Sequence, residues 1–318
     1  MATLRSSLLA AAGWCLVSGL LHAQNAEGPA EENSVKVELL EAGAAPRETI
    51  RLQPMKGTTE TVEMTMKLDQ SMTMNGNKLP RVDMPDQKWT IDFTIGEISP
   101  DGDIQFDFQY KSIDLVKDPA NPSPLAPILE KMLAPLAGAS GSGVVTDRGL
   151  TKKADFTIPP GVAPQLRTIL DGMRDSMQRL SSPVPAEPIG IGGKWRVTQV
   201  IKSNGIRLTQ VTVHELTQVD GPRYTVGIKL TQSAEPQTIS PPGLPPGAKI
   251  QLDALDSKGE GTMVINSKSI VPAESKLQLT SNTKMDIDIG GQKQAMSTEM
   301  KLEMTFSPVA NSDQDSER

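Results

Sequence analysis

Thiols, imidazoles and aromatic rings are scarce in this chain: one cysteine, two histidines and 3% aromatic residues among 318. Cys15 and His22 also lie in a leader that reads as a secretory signal peptide. It has a basic residue (Arg5), an apolar run from Leu8 to Leu21, and a small-residue site at Leu21-His22-Ala23. Cleavage after Ala23 leaves no thiol and a single imidazole, His214. That removes disulfides, cysteine nucleophiles and Cys/His zinc sites from consideration. The apolar run is about 14 residues, short of the roughly 20 that cross a bilayer as a helix. Trp14 precedes Cys15 where a lipoprotein signal needs a small residue. No later stretch is apolar enough to span, so the mature chain is expected to be exported, periplasmic or secreted, with no transmembrane segment. Basic charge is short as well. The net charge is −6 and Lys and Arg are not clustered, which argues against a nucleic-acid partner.

What is abundant is methionine, with 15 residues, set in a pattern of period two. Val62, Met64, Met66, Leu68, Met72 and Met74 share one parity, with Gln70 interrupting the apolar face. Asn75-Gly76 follows, a strong hairpin signal. Trp89, Ile91, Phe93 and Ile95 alternate next. A turn at Ser99-Pro100-Asp101-Gly102 leads to Ile104, Phe106, Phe108 and Tyr110. The middle changes character. Leu125, Ile128, Leu129, Met132, Leu133 and Leu136 have helical spacing, with Pro127 and Pro135 at a first turn or a break. Gly138 to Gly143 reads as a flexible turn. Pro164 then opens a second helix with the stripe Leu166, Ile169, Leu170, Met173, Met177 and Leu180.

Alternation resumes after a proline-rich linker, through Trp195 and Val197; Val211 and Val213; and Tyr224, Val226, Ile228 and Leu230. It continues at Met263 and Ile265, Leu277 and Leu279, and Met285, Ile287 and Ile289. Past Gly290-Gly291, the return strand carries Met296, Met300, Leu302, Met304 and Phe306 on one parity. The proline-rich stretch Gln237–Gly247 reads as an exposed loop. Val62–Lys78 and Leu277–Lys293 show one pattern at an offset of 215, which duplication and ordinary alternation would both produce. The organisation is a signal peptide (1–23), a disordered leader (24–33), an N-terminal β region (34–118), a helical and proline-rich middle (119–188), a C-terminal β region (189–309) and a disordered tail (310–318). The fold class is mainly β (α+β): long curved antiparallel strands with two amphipathic helices packed on the concave face.

Few motifs offer chemistry. Met64-Thr-Met66 and Met72-Thr-Met74 put pairs of thioethers on one strand face, as a Cu(I) platform would; a core face has the same pattern. Asp286-Ile-Asp288 and Asp101-Gly-Asp103 lack the remaining ligands of a calcium loop. Gly138-Ala-Ser140-Gly-Ser142 fails the nucleophile-elbow pattern at its fifth position. Gly190-Ile-Gly192-Gly193-Lys194 precedes a strand, not a phosphate-cradling helix N-terminus. His214 reads as an outward strand residue. No catalytic residue, metal ligand or cofactor is assigned.

The approach Pro183-Val-Pro185, the strand opening Gly193-Lys194-Trp195, Gly259-Glu-Gly261 and Gly290-Gly291-Gln292 before a Met-rich strand carry a resemblance. From about Pro183 to Phe306 the chain resembles a family of exported bacterial proteins filed as a domain of unknown function. The resemblance implies export and a β-rich fold and supplies no catalytic residues. The architecture also looks like the periplasmic carriers of lipids and lipoproteins, where a bent sheet wraps a helical plug.

The sequence thus points to an exported, non-catalytic envelope protein. It binds an apolar or amphipathic ligand, such as a lipid, between sheet and helices at Met64, Met66, Met72, Met74, Met173 and Met177. The alternatives are a module that docks an envelope protein partner, and copper binding by methionine.

Overall fold

Long alternating strands separated by tight turns can satisfy their backbone groups only by pairing with one another. In the computed structural model they do so in one antiparallel sheet. The structure describes residues 35–81, 83–116, 123–157, 183–203, 205–239, 249–289 and 291–309. The strands are β1 (Lys36–Glu41), β2 (Thr59–Met74), β3 (Asn77–Lys78), β4 (Asp86–Ile98), β5 (Asp103–Val116), β6 (Ser140–Thr146) and β7 (Thr151–Thr157). The rest are β8 (Lys194–Ser203), β9 (Ile206–Asp220), β10 (Arg223–Ala234), β11 (Gln237–Ile239), β12 (Lys249–Asn266), β13 (Glu274–Ile289) and β14 (Gln292–Pro308). Their spatial order is β1-β8-β9-β10-β12-β13-β14-β2-β4-β5-β6-β7, with β11 beside β12 and β3 beside β2. Both β regions of the sequence thus enter the same sheet, joined where β14 pairs with β2 and where β1 pairs with β8.

Turn chemistry explains the hairpins. Asn75 and Gly76 both have positive φ, at 50° and 79°, as the two-residue turn between β2 and β3 requires. Strands β2 and β13 are each 16 residues long, and their bounds differ by the 215 residues of the sequence match.

The sheet curls. Laid flat, β8 and β6 would be about 43 Å apart, nine strand spacings. Yet the Trp195 indole on β8 donates to the Pro183 carbonyl at 2.9 Å, and the neighbouring Val184 amide donates to Arg148 in the β6–β7 turn at 3.0 Å. A strap of residues 42–54 runs beside residues 183–191 and ties these parts together. Glu48 and Ile189 exchange backbone hydrogen bonds, the Leu52 amide donates to Asp147, and the Gln53 amide donates to Ser267 in the β12–β13 turn. Arg148 donates twice to the Val184 carbonyl, at 3.1 and 3.0 Å. One core results, holding Trp89, Phe108, Tyr110, Val145, Trp195, Leu216, Val226 and Ile265 together with Ile50 of the strap and Ile189 beside it. A second cluster of Ile250, Leu252, Met285, Ile287 and Met296 sits toward the other end of the long strands.

Four expectations need correction. The two amphipathic helices are not borne out among the described residues. One short helix, α1 (Ala126–Leu133), appears, with Pro127 in its first turn and a 3-10 turn from Ala134 to Leu136. It contacts β5 and buries Leu129 and Leu133, with Leu136 of the following turn, in the main core. The second helix, with Met173 and Met177, lies outside the described residues. Gly138–Gly143 is not simply a turn, since β6 begins at Ser140. Its glycines serve packing: a Cβ on Gly141 would come within 2.3 Å of Phe108 Cζ, and one on Gly143 within 2.4 Å of Phe106 Cζ. The stretch from Gln237 is not all loop either, for 237–239 form β11; residues 240–248 lie outside the described set. Finally, His214 faces inward, opposite Trp195, while Val213 faces out. Leu208 and Leu216 set the buried parity of β9, and the two outward valines disguise it.

Gly190 is where the strap and the segment 183–191 meet closely: a Cβ there would lie 1.8 Å from the Ala44 carbonyl oxygen. Backbone on both sides leaves no room to yield. Gly190→Ala should cost about 3 kcal/mol, read as a lower urea midpoint with an unchanged slope.

Candidate functional site

Alternation puts one side chain in two on the inner face, and antiparallel register aligns those side chains in rows across the strands. Successive rows are chemically distinct. Met64 stands opposite Trp89 on β4 and Phe306 on β14. Met66 stands opposite Gln87 and Met304, and that row continues through Leu277, Gly261, Ile228 and His214 to Trp195. Next come Leu68, Leu302, Leu279, Gly259, Leu230 and Thr212.

The following row is polar. From β8 to β2 it runs Gln199, Gln210, Gln232, Ser257, Ser281, Met300 and Gln70. Beside it, Thr283 and Thr298 are paired on β13 and β14, with Met72 opposite Thr298. Beyond them, Met74, Met296 and Met285 form a row on three adjacent strands, next to Leu252.

Gln199, Ser257, Ser281, Thr283 and Thr298 are buried and Gln70, Gln210, Gln232 and Met300 half-buried, and two hydrogen bonds run within the belt. Gln232 Nε2 donates to Gln210 Oε1 at 2.8 Å, and the Ser257 and Ser281 hydroxyls meet at 2.9 Å. Two groups have no partner. Thr298, only 4% exposed, leaves its Oγ1 unpaired, and the Gln70 Nε2 is buried without an acceptor. The Trp89 indole N–H, beside Met64, is likewise buried and unpaired. A buried polar atom without a partner costs about 1–3 kcal/mol, so such atoms usually have a task.

The four described methionines are therefore not one cluster. Met64 packs on the main core and Met74 on the second, roughly 33 Å apart along β2 at the usual strand rise. Met66 and Met72 lie between them, on either side of Leu68 and Gln70. All four are half-buried. The half-exposed apolar face continues onto β13 and β14 through Leu277, Leu279, Met300 and Met304. Gln70 carried the one sequence signal for the belt, as the polar break in an apolar alternation. Its Gln, Ser and Thr partners looked like ordinary polar strand residues, because register is not written in any single strand.

Electrostatically the inner face is quiet. His214 is 2% exposed and stacked on Trp195 at 4.8 Å and 7°, and burial lowers its pKa from 6.5 to about 4. Burial pushes the Tyr110 phenol up, and it raises the Glu60 carboxyl too, against a hydrogen bond from Ser269. Among the described residues no group of three or more His, Cys, Asp or Glu side chains is placed to hold a metal ion. Two surface depressions lie on the outer face. One of about 490 Å³ above Gly227 is edged by Lys194, Lys229, Lys276, Glu215 and Glu260; the other, near Arg81, is equally mixed in charge. Both are shallow, partly open and lined by charges of both signs, so the inner face with its unpaired buried groups is the stronger candidate.

The fold holds His214 neutral, whereas the unfolded chain takes up its proton near pH 6.5. Stability is therefore full above pH 6.5 and falls by at most ~3 kcal/mol as the pH drops to about 4. Denaturation across that window should show the slope in the wild type and lose it in His214→Gln. Thr298→Val removes an unpaired hydroxyl without changing shape, so it should leave stability unchanged or raise it by about 1 kcal/mol. Ser281→Ala strands the Ser257 hydroxyl and should cost about 1–3 kcal/mol. Thermal melts of the two variants check the difference in sign.

No family model matches the chain, and no curated protein matches it. Among solved structures, Salmonella typhi OmpF in complex with daunomycin aligns over 77% of this chain and 98% of that one. The identity is 6% and the TM-score 0.19, a value too low to relate the two folds.

Proposed function

We propose that this is an exported, non-catalytic protein of the cell envelope that binds an apolar or amphipathic molecule on the inner face of its curled sheet. The observation that carries the reading is a half-exposed run of methionine and leucine across β2, β14 and β13, on the same face as buried polar groups that lack partners. Methionine suits such a surface, because its unbranched thioether adapts to the shape of an apolar guest. The signal-like leader and the resemblance to exported bacterial proteins support the location.

The outer face argues that the sheet works in water. On β13 the outward side chains are Lys276, Gln278, Thr280, Asn282, Lys284 and Asp286, and on β14 they include Glu299, Lys301 and Glu303. A transmembrane barrel needs an apolar outer band, the reverse of this arrangement. Separately, no helix among the described residues is long and apolar enough to cross a membrane.

The sheet edges weigh against the competing role of a docking module. β7 carries Lys152 and Lys153, and β1 carries Lys36, Glu38 and Glu41; such charges discourage strand addition.

The test is native mass spectrometry of the mature protein purified gently from an exporting host, with organic extraction of bound material. A discrete hydrophobic or amphipathic molecule at stoichiometric level is expected. A clean apo mass, with no uptake of added lipids, would sink the proposal.

A further inference from the structure

We infer that the Gln/Ser/Thr belt selects the polar end of the guest, and that this end is an uncharged hydrogen-bonding group such as the hydroxyls of a monoacylglycerol. The inference deepens the carrier reading and rests on it.

Gln70 stands opposite Met300 and Thr298 stands opposite Met72, so their side chains are diagonal neighbours on β2 and β14. Diagonal neighbours lie about 7–8 Å apart or somewhat less, close enough for one small polar group to reach both. Gln70 offers an amide N–H donor, and the Thr298 hydroxyl can donate or accept. Elsewhere in the belt, Gln232 bonds Gln210 and Ser257 bonds Ser281. The two unpaired groups adjoin the half-exposed apolar residues Leu68, Leu277, Leu279 and Met304, where an acyl chain would lie.

Charge decides the class of headgroup. None of the belt positions, and none of the inner-face positions in the rows on either side of it, carries Lys, Arg, Asp or Glu among the described residues. An ionised carboxylate or phosphate buried there would lose its hydration with no cation to replace it, a cost of several kcal/mol. A hydroxyl or ester loses far less and recovers it through Gln70 and Thr298.

The experiment uses the delipidated mature protein and three probes with the same chain length: 1-monopalmitoylglycerol, palmitate at pH 8 and hexadecane. Affinities are measured by competition against one fluorescent displacement probe. The monoglyceride should bind at least tenfold more tightly than palmitate or hexadecane. Thr298→Val and Gln70→Leu should each weaken it about tenfold while leaving hexadecane unchanged. Both variants discard an unpaired polar group and should fold; circular dichroism and retained hexadecane binding verify this. Equal affinity for all three probes, or a monoglyceride affinity indifferent to both substitutions, would overturn the belt's role while the carrier reading stands. Tighter binding of palmitate would overturn the neutral-headgroup assignment. Failure of every probe to bind would remove both readings together.

Discussion

A sheet this wide has an apolar face too large to leave in water, and the backbone contact between residues 42–54 and 183–191 is what lets it fold over that face. The contact is built from peptide groups and glycine and needs few large side chains. Gly43, Gly190 and Gly193 stand where any Cβ would collide with backbone or with Ile189, so the strands meet as closely as main chains allow. Once the β6–β7 turn, the β12–β13 turn and the start of β8 are tied to this strap, aromatic residues of β4 and β5 can share one interior with Trp195 and Val226. The glycine cluster before β8 is thus a structural joint. Sequence alone separated it from a phosphate loop only because a strand follows.

Much of the fold was legible because alternation is a local signal. The strands around Met64, Trp89, Phe106, Tyr224, Met285 and Met304 stand on the parity their residues announce. Pro127 and Pro135 marked the start and break of α1 correctly. What could not be read was anything set by pairing. His214 was placed outward because Val211 and Val213 looked like the buried parity, and only its cross-strand stacking on Trp195 reverses that. β6 was hidden because glycine carries no strand propensity; it is a strand because Phe106 and Phe108 need its bare backbone to lie against.

The same limit governed the candidate site. The four methionines of β2 suggested one surface, and the structure instead spreads them along the full strand, between two apolar clusters separated by a polar band. That band converts a plain greasy face into one with an address along its length. Where the neighbouring rows of the inner face are aliphatic and thioether side chains, a few amides and hydroxyls set register and orientation more than adhesion, since a hydrogen bond contributes little net and an unmet one costs more.

The last strand occupies the middle of the sheet. β14 lies between β13 and β2 and pairs along β2 from Met74 at Met296 to Val62 at Pro308. In a chain threaded amino end first, β2 has one long ladder unfilled until the carboxyl end arrives. Some two hundred residues of mostly β sequence are then already present, with strand edges exposed on either side of the gap. Such an intermediate invites pairing with the wrong chain and is slow to resolve, because loop closure over that distance is costly. A chain clipped before β14 would leave long open edges on β13 and β2, with the strap of residues 42–54 still tying the β6–β7 turn to the β12–β13 turn.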